Sequence, residues 1–284
     1  MSIILSPEFW EQTWNKFREE NSYTAYNQNN QAQYWNERAD QFASHTVHSP
    51  DKRITGVLDF LNQKGILQTG ITVLDIGSGP GSFTIPLAKK GIDVVAIDPA
   101  ERMLTILKDN LTPELAPLVT TIQALWEDID ADKNCWDKAF DLVLATMSPA
   151  INNLITLKKM IYCSRQWCYL SGFSGARQFE LFDIIWNQIL AKPYREHFND
   201  IIFPFNIIYS LGYRPEITFT TSTTSRKDNI TSLQQKLLSD LSSEIILTPV
   251  IIDRVHALLM EKSSQGIIEQ KVTSTIGMIL WKVN

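Results

Sequence analysis

The sequence predicts an α/β protein in which a mainly parallel sheet is covered by helices on both faces. Five short apolar segments are typical of buried strands: ITVLDI (71–76), DVVAID (93–98), VTTIQAL (119–125), AFDLVLAT (139–146) and QWCYLSGF (166–173). Segments with helical spacing of apolar residues lie between them. Because strands that are apolar throughout must be buried on both faces, this alternation indicates a doubly wound sheet.

The segments outside this alternation predict two helical additions. Residues 1–66 contain three stretches with helical spacing, and we expect them to form an N-terminal helical cap. Residues 67–284 then form the α/β core. Within that core, residues 226–265 are typical of two helices inserted between the last two strands, and residues 266–284 alternate as a strand does.

The composition narrows the functional class. The 284 residues carry a net charge of −5, which disfavours nucleic-acid binding through bulk electrostatics. Three cysteines without a paired pattern argue against a disulfide framework. We find neither a signal peptide nor an apolar run long enough to span a membrane, so the expected location is the cytoplasm and no membrane partner is expected.

The first predicted strand ends in a glycine-rich turn, Gly77-Ser78-Gly79-Pro80-Gly81, which leads into a helix. Such a turn can bind a phosphate, hold another nucleotide-like ligand or simply connect two elements. No Lys-Ser or Lys-Thr pair follows the glycines, so this is not a phosphate-binding P-loop. The spacing also departs from G-x-G-x-x-G, and Asp75 would repel a pyrophosphate, which disfavours a dinucleotide.

The second predicted strand ends in an acid, Asp98, which lies 23 residues after Asp75. A carboxylate at that position can accept hydrogen bonds from both hydroxyls of a ribose. Together, the turn and Asp98 indicate a ligand that contains adenosine, and Asp75 favours one that carries an amino group.

These motifs resemble those of the class I methyltransferases that use S-adenosylmethionine. VLDIGSGPGSFTIPLA (73–88) is similar to their first motif, VVAIDPAERML (94–104) to the second and FDLVLATMSPAI (140–151) to the segment around the fourth strand. The resemblance covers residues 71–173 and implies a Rossmann-like sheet of seven strands whose last strand is antiparallel. It also implies S-adenosylmethionine as the cofactor and S-adenosylhomocysteine as the product.

The resemblance assigns cofactor contacts residue by residue. Asp98 would hold the ribose, Asp75 the amino group through water, Met103 the adenine face, and Ala145 and Thr146 the methionine side. On the N-terminal helix, Tyr34 and Arg38 would close over the cofactor, unless Tyr34 and Trp35 are core aromatics. The full predicted cofactor set is Tyr34, Arg38, Asp75, Gly77, Ser78, Gly79, Gly81, Asp98, Pro99, Met103, Leu125, Trp126, Ala145 and Thr146.

Met147, Ser148 and Pro149 are candidates for the substrate pocket. Ser148-Pro149 matches half of the [DNS]-P-P-[YFW] segment of enzymes that methylate amino groups, but Ala150 and Ile151 do not. The alternative is that Ser148 caps a helix that starts near Asn152. The sequence identifies no catalytic residue, because methyl transfer depends mainly on orientation of the reactants.

The sequence thus predicts methyl transfer to a small molecule. The alternatives are a methyltransferase that acts on RNA or protein, and a regulatory protein that binds the cofactor without turnover. A homodimer is possible through the insertion. His45 and His48 form an H-x-x-H pair, but further ligands are lacking nearby, so we expect no metal site. We expect Cys163 and Cys168 to be buried.

Overall fold

The computed structural model describes residues 6–20, 31–46, 52–194, 199–242 and 244–284. These residues form two compact units. The first comprises residues 1–172, 200–218 and 277–284, and the second comprises residues 173–199 and 219–276. The division into a cap, a core and an insertion stays a prediction.

The first unit is built on parallel strands in the order β3-β2-β1-β4-β5. They are β1 (Thr72–Ile76), β2 (Asp93–Asp98), β3 (Val119–Gln123), β4 (Phe140–Thr146) and β5 (Ser164–Phe173). All pairs among them are parallel, with Asp75 beside Ala96 on one side and Leu144 on the other. Their carboxyl ends therefore meet at one edge of the sheet, where open α/β sheets bind ligands.

The helices of the first unit bury both faces of this sheet. They are α1 (Pro7–Glu20), α2 (Gln31–Thr46), α3 (Lys52–Gln63), α4 (Thr84–Ala88), α5 (Glu101–Asp109), α6 (Leu154–Cys163) and α8 (Ile202–Ser210). Along β4, Leu142 and Leu144 pack with Leu58 and Leu61, whereas Val143 packs with Trp14. Since successive side chains of a strand face opposite ways, the two clusters lie on opposite faces. The doubly wound prediction is confirmed.

The second unit contains α7 (Glu180–Leu190), β6 (Gln178–Phe179), α9 (Ile230–Ser242) and α10 (Pro249–Lys262). It also contains most of β7 (Glu216–Asn229) and the first part of β8 (Ile267–Lys282). Its core joins Phe182 and Ile185 of α7 to Leu237 of α9 and Leu259 of α10. The two predicted helices between the last long strands are thus present as α9 and α10.

The last strands run antiparallel to their neighbours, as predicted. β6 pairs with β8 in antiparallel register, with Gln178 beside Thr273. β8 follows β5 in the sheet, and β7 pairs with β8. Two backbone hydrogen bonds show that β5 and β8 are antiparallel. The N–H of Ser174, just after β5, donates to the Thr275 carbonyl, and the N–H of Val283, just after β8, donates to the Gln166 carbonyl. Residue numbers therefore rise along β5 as they fall along β8. The described residues add the two-residue strand β6 to the seven predicted strands.

Candidate active site

The glycine turn follows β1 directly and is tied to the end of β2. Gly77, Gly79 and Gly81 have φ angles of +74°, +54° and +90°, which other residues adopt only with strain. The N–H groups of Gly77 and Ser78 both donate to the carbonyl of Ile97, at 2.8 and 2.9 Å. The turn is therefore held beside Asp98, the next residue of β2.

Gly77 and Gly81 are required for different physical reasons. A Cβ atom on Gly77 would lie 2.1 Å from the Oγ of Ser148, so the glycine lets the segment after β4 approach the turn. A Cβ on Gly81 would lie 2.3 Å from Leu107 and 3.2 Å from Ile85. Gly81 thus allows close packing of α4 and α5, while Gly77 faces a predicted substrate residue. That Gly77 and Gly81 contact the cofactor stays a prediction.

Asp98 binds the backbone of the turn and of the next helix. Its Oδ2 accepts from the N–H of Gly79 at 2.9 Å, and its Oδ1 accepts from the N–H of Ala100 at 2.9 Å. Burial raises the pKa of this carboxyl to about 6, against the opposing effect of the two backbone donors. Each carboxylate oxygen keeps a lone pair that can accept a further hydrogen bond, so two hydroxyl groups could bind there.

Asp75 is buried at the end of β1 and is only half satisfied. Its Oδ2 accepts from the Thr84 hydroxyl at 2.7 Å, whereas its Oδ1 has no hydrogen-bond partner among the described residues. Burial, helped by the nearby charge of Asp98 and opposed by the Thr84 hydrogen bond, raises the pKa of Asp75 to about 7. Within the part of the chain that the structure describes, the buried hydroxyls of Ser78 and Ser82 also have no partner. Buried polar atoms are normally paired, so this side of the turn can bind a polar group that bears N–H donors.

The segment after β4 approaches the turn through a strained backbone. Met147 has a φ of +53°, which is uncommon for a residue other than glycine, and its N–H donates to the Ser171 carbonyl at 3.0 Å. The Oγ of the next residue, Ser148, accepts from the Ala150 N–H at 3.3 Å and lies against Gly77. Non-glycine residues in this conformation concentrate at functional sites. Thr146 and Pro149 are half-buried, and Ala145 is buried.

The expectation that Ser148 caps a helix near Asn152 is wrong. Helix α6 begins at Leu154, and Asn153 caps it by accepting from the Thr156 N–H at 2.8 Å. The Thr156 hydroxyl in turn accepts from the Asn153 N–H, which completes a capping box. Because Asn153 satisfies the helix end, Ser148 is left at the turn, five residues earlier.

Helix α2 packs on α5 and reaches the glycine turn with a residue that the sequence did not indicate. Met103 of α5 is buried among Ala39, Ala43 and Phe42, and a Cβ on Gly79 would lie 3.9 Å from Phe42. Trp35, Ala39, Phe42 and Ala43 recur at helical spacing, so this face of α2 could have been found from the sequence.

Tyr34 and Arg38 lie together on an exposed part of α2. The Arg38 guanidinium lies 3.7 Å from the centre of the Tyr34 ring, and Arg38 donates to the Tyr34 carbonyl at 3.2 Å. Tyr34 is 37% exposed, so it is not a core aromatic. Their closure over a cofactor stays a prediction.

After β3, the chain places Trp126 in the hydrophobic core. Its side chain is 1% exposed, and its indole N–H donates to the Thr156 carbonyl at 3.1 Å. Almost none of the side chain is left for a ligand, so the predicted adenine contact would have to come from the backbone. Leu125 and Pro99 are half-buried. Glu127, the residue after Trp126, accepts from the Asn152 amide at 2.8 Å.

The remaining candidate functional residues from the sequence are two cysteines and a histidine pair. Cys163 and Cys168 are buried, as predicted, and burial raises the pKa of Cys163 to about 12 and that of Cys168 as well. His48, and the side chain of His45, lie outside the described residues. The described residues contain no cluster of His, Cys, Asp and Glu that could hold a metal ion. None of the helices in the described ranges is both long and apolar enough to cross a membrane.

Comparison with known proteins agrees with the geometry of the turn. Residues 73–161 match a family described as a methyltransferase domain. An uncharacterized protein from Haemophilus influenzae is 26% identical over 190 residues, which are 65% of this chain and 65% of that protein. Magnesium-protoporphyrin O-methyltransferase from Rhodobacter capsulatus is 34% identical over 88 residues, or 31% of this chain and 39% of that enzyme. The matches thus span less than two thirds of the length of these curated relatives.

Among solved structures, magnesium protoporphyrin IX methyltransferase from Synechocystis, with bound S-adenosylhomocysteine, aligns with a TM-score of 0.45. The sequence identity is 15%, over 80% of this chain and 81% of that chain. The segment that matches the methyltransferase domain, residues 73–161, contains the glycine turn and both acidic strand ends, Asp75 and Asp98.

Proposed function

We propose that this protein transfers a methyl group from S-adenosylmethionine to a small-molecule acceptor. One observation carries the proposal: two buried acidic strand ends, Asp75 and Asp98, flank a glycine turn whose first glycine faces Ser148. A cofactor site and an acceptor site would therefore adjoin at Gly77.

The residues around the turn fit the cofactor. Asp98 would accept hydrogen bonds from the two ribose hydroxyls with the lone pairs that Gly79 and Ala100 leave free. The unpartnered Oδ1 of Asp75 and the hydroxyl of Ser78 would accept from the amino group, directly or through water. Because S-adenosylmethionine carries positive charge, it would also stabilise the ionised form of both buried carboxyls.

When bound, S-adenosylmethionine supplies a methyl carbon activated by a sulfonium. The task of the protein is then to align an acceptor in line with that carbon and to exclude water. Met147, Ser148 and Pro149 follow β4 at the same edge of the sheet as Gly77, so we assign them to the acceptor side. The hydroxyl of Ser148 can donate to the acceptor while its oxygen accepts from the Ala150 N–H.

Two features favour a small acceptor over RNA. The net charge of −5 supplies little attraction for a polyanion. In addition, Phe42 of α2 lies against the glycine turn, which reduces access to the edge of the sheet.

Calorimetric titration of the full-length protein with S-adenosylmethionine and S-adenosylhomocysteine tests the cofactor assignment. We expect both to bind, and we expect Asp98→Ala to weaken binding by about 100-fold, because two hydrogen bonds to a charged group are lost. Asp93→Ala is the matched control, since Asp93 is an exposed acid at the opposite end of β2. If neither compound binds, or if Asp98→Ala binds as tightly as the wild type, the assignment is wrong.

Turnover requires a separate measurement. Release of S-adenosylhomocysteine should be followed with panels of small amines, thiols, phenols and carboxylic acids, and in parallel with total RNA. We expect release with a small molecule. Release with RNA alone would overturn the acceptor class, and cofactor binding without release in any panel would favour a regulatory protein.

A further inference from the structure

Strand β7 is an edge strand that lacks the usual protection against pairing. Within the described part of the chain, β7 pairs with β8 alone. Residues 217–225, ITFTTSTTS, contain no charge, proline or glycine, and all of them except Ile217 are exposed. Natural edge strands are usually short, charged, bulged or covered, because a bare edge presents unpaired N–H and C=O groups to another strand.

The composition of this segment favours pairing. Threonine, isoleucine and phenylalanine have high β propensity, and cross-strand Thr–Thr pairs stabilise sheets. Such pairs already join β7 to β8, where Thr221 bonds Thr275 and Thr223 bonds Thr273, both at 2.8 Å. The free edge offers the same residues to another strand.

We propose that the free edge of β7 pairs antiparallel with β7 of a second copy of this chain, about a twofold axis at Thr221. Such a contact is isologous, so each residue meets its counterpart reflected about the centre. This pairing places Glu216 opposite Arg226 of the partner subunit, and since both residues lie within β7, the charged pair that the two strands form is attractive.

Charge also selects this register over its neighbours. With the axis at residue 220, Glu216 would lie opposite Thr224 of the partner subunit, and the attractive pair with Arg226 would be lost. With the axis at residue 222, Glu216 would lie opposite Asp228 of the partner subunit. Like charges directly opposite each other destabilise a strand pair. The axis at Thr221 avoids this clash and keeps Glu216 opposite Arg226 of the partner subunit.

Glu216 and Arg226 can form ion pairs across the twofold axis without a large loss of stability. Glu216 is 2.6 Å from Lys64, and Arg226 is 2.7 Å from Asp228, within one chain. The Glu216 and Arg226 side chains are nevertheless 49% and 56% exposed. Ion pairs at this exposure contribute little to stability, so the side chains can rearrange or share partners across the axis.

Sedimentation of the full-length protein tests the proposal. We expect a concentration-dependent dimer. Thr221→Lys would bring two lysines together at the axis and raise the dissociation constant more than about tenfold. Glu261→Lys, which makes an exposed change on α10, is the control and should leave the dimer intact.

A charge swap tests the register itself. Glu216→Arg alone and Arg226→Glu alone should each weaken the dimer about tenfold, because symmetry doubles each change. The double variant restores opposite charges and should recover most of the affinity. A thermal melt of each variant checks that it is folded.

Hydrogen exchange locates the contact. Amides of residues 217–225 should be protected at high protein concentration and exchange faster on dilution. A wild-type monomer at all accessible concentrations would overturn the proposal, and so would a dimer that Thr221→Lys leaves intact. If the double variant is as weak as the single ones, the register is wrong.

Discussion

The carboxylates at the two ends of the parallel strands have opposite surroundings, and their pKa values shift in opposite directions. At the amino ends, Asp141 of β4 accepts from Arg165 at 2.6 and 2.8 Å and from the N–H of Thr72 at 2.9 Å. The Arg165 guanidinium holds the pKa of Asp141 below its usual range. At the carboxyl ends, Asp75 and Asp98 are buried and form no ion pair with a described residue, and burial raises the pKa of each.

This difference separates a structural site from a ligand site. The Asp141 cluster satisfies its charge within the protein and joins the starts of β1, β4 and β5. The carboxyl end leaves buried acceptors at Asp75, Ser78 and Ser82 unpaired, which costs folding free energy. The burial of such an acid calls for a compensating interaction, which a cationic ligand at the proposed cofactor site would supply.

The largest expected effect comes from a substitution in the glycine turn, at the carboxyl ends of the strands. Gly77→Ala would place a Cβ atom 2.1 Å from Ser148, so the turn and the segment after β4 must separate. We expect S-adenosylmethionine binding to weaken more than about 100-fold, since the displaced turn adjoins both the cofactor side and the acceptor side of the proposed site. Calorimetry measures this loss.

Gly70→Ala is the matched control for that variant. Gly70 has a φ of +84°, but no atom lies within 4 Å of the added Cβ. We expect a cost in stability of about 1 kcal/mol from backbone strain, and unchanged cofactor binding. Equal loss of binding in the two variants would mean that strain, and not the approach of Ser148, determines the role of Gly77.

The second prediction concerns the cost of burying Asp75. A carboxyl whose pKa is raised on folding stabilises the protein less as the pH rises through its folded-state value, because the unfolded chain ionises more easily. Without cofactor, Asp75→Asn should therefore raise the free energy of unfolding at pH 8, by up to about 4 kcal/mol, and change it little at pH 4. Chemical denaturation at the two pH values measures this, and equal effects at both would contradict it.

The third prediction applies the same test at the amino ends. Asp141→Ala removes the partner of Arg165 and of the Thr72 N–H, so we expect a loss of stability of about 2 kcal/mol. Since the pKa of Asp141 is lowered, its contribution is present at neutral pH and lost as the pH falls through its folded-state pKa. Cofactor affinity should not change. A loss of affinity larger than the loss of stability explains would connect the two ends.

The smallest predicted effect is the pH dependence of cofactor binding. Between pH 8 and pH 5 the carboxyls of Asp75 and Asp98 take up protons, because their pKa values are about 7 and about 6. If binding needs the ionised Asp98, affinity should fall about tenfold per pH unit below 6. Calorimetry in buffers of different ionisation enthalpy should detect proton release on binding near pH 6. A flat profile would show that the neutral acids bind equally well.

Much of the candidate site was predictable because its signals are local. Glycines next to an apolar run require a turn, and an acid that ends the next strand must lie at the same edge of a parallel sheet. The capping role of Ser148 was misassigned because Asn153 and Thr156, five and eight residues further on, form a better cap. The depth of Trp126 also escaped prediction, since the Thr156 carbonyl that binds it is 30 residues away.

The sequence by itself therefore determined the doubly wound sheet, the turn and the two acidic strand ends, because periodicity and backbone freedom act over a few residues. Only the tertiary structure decided that Ser148 lies against Gly77, that Phe42 reaches the turn, and that β7 is left as a bare edge. These features depend on packing between elements that are distant in the chain, and on the burial that raises the pKa of Asp75 and Asp98. No local pattern of residues encodes that burial.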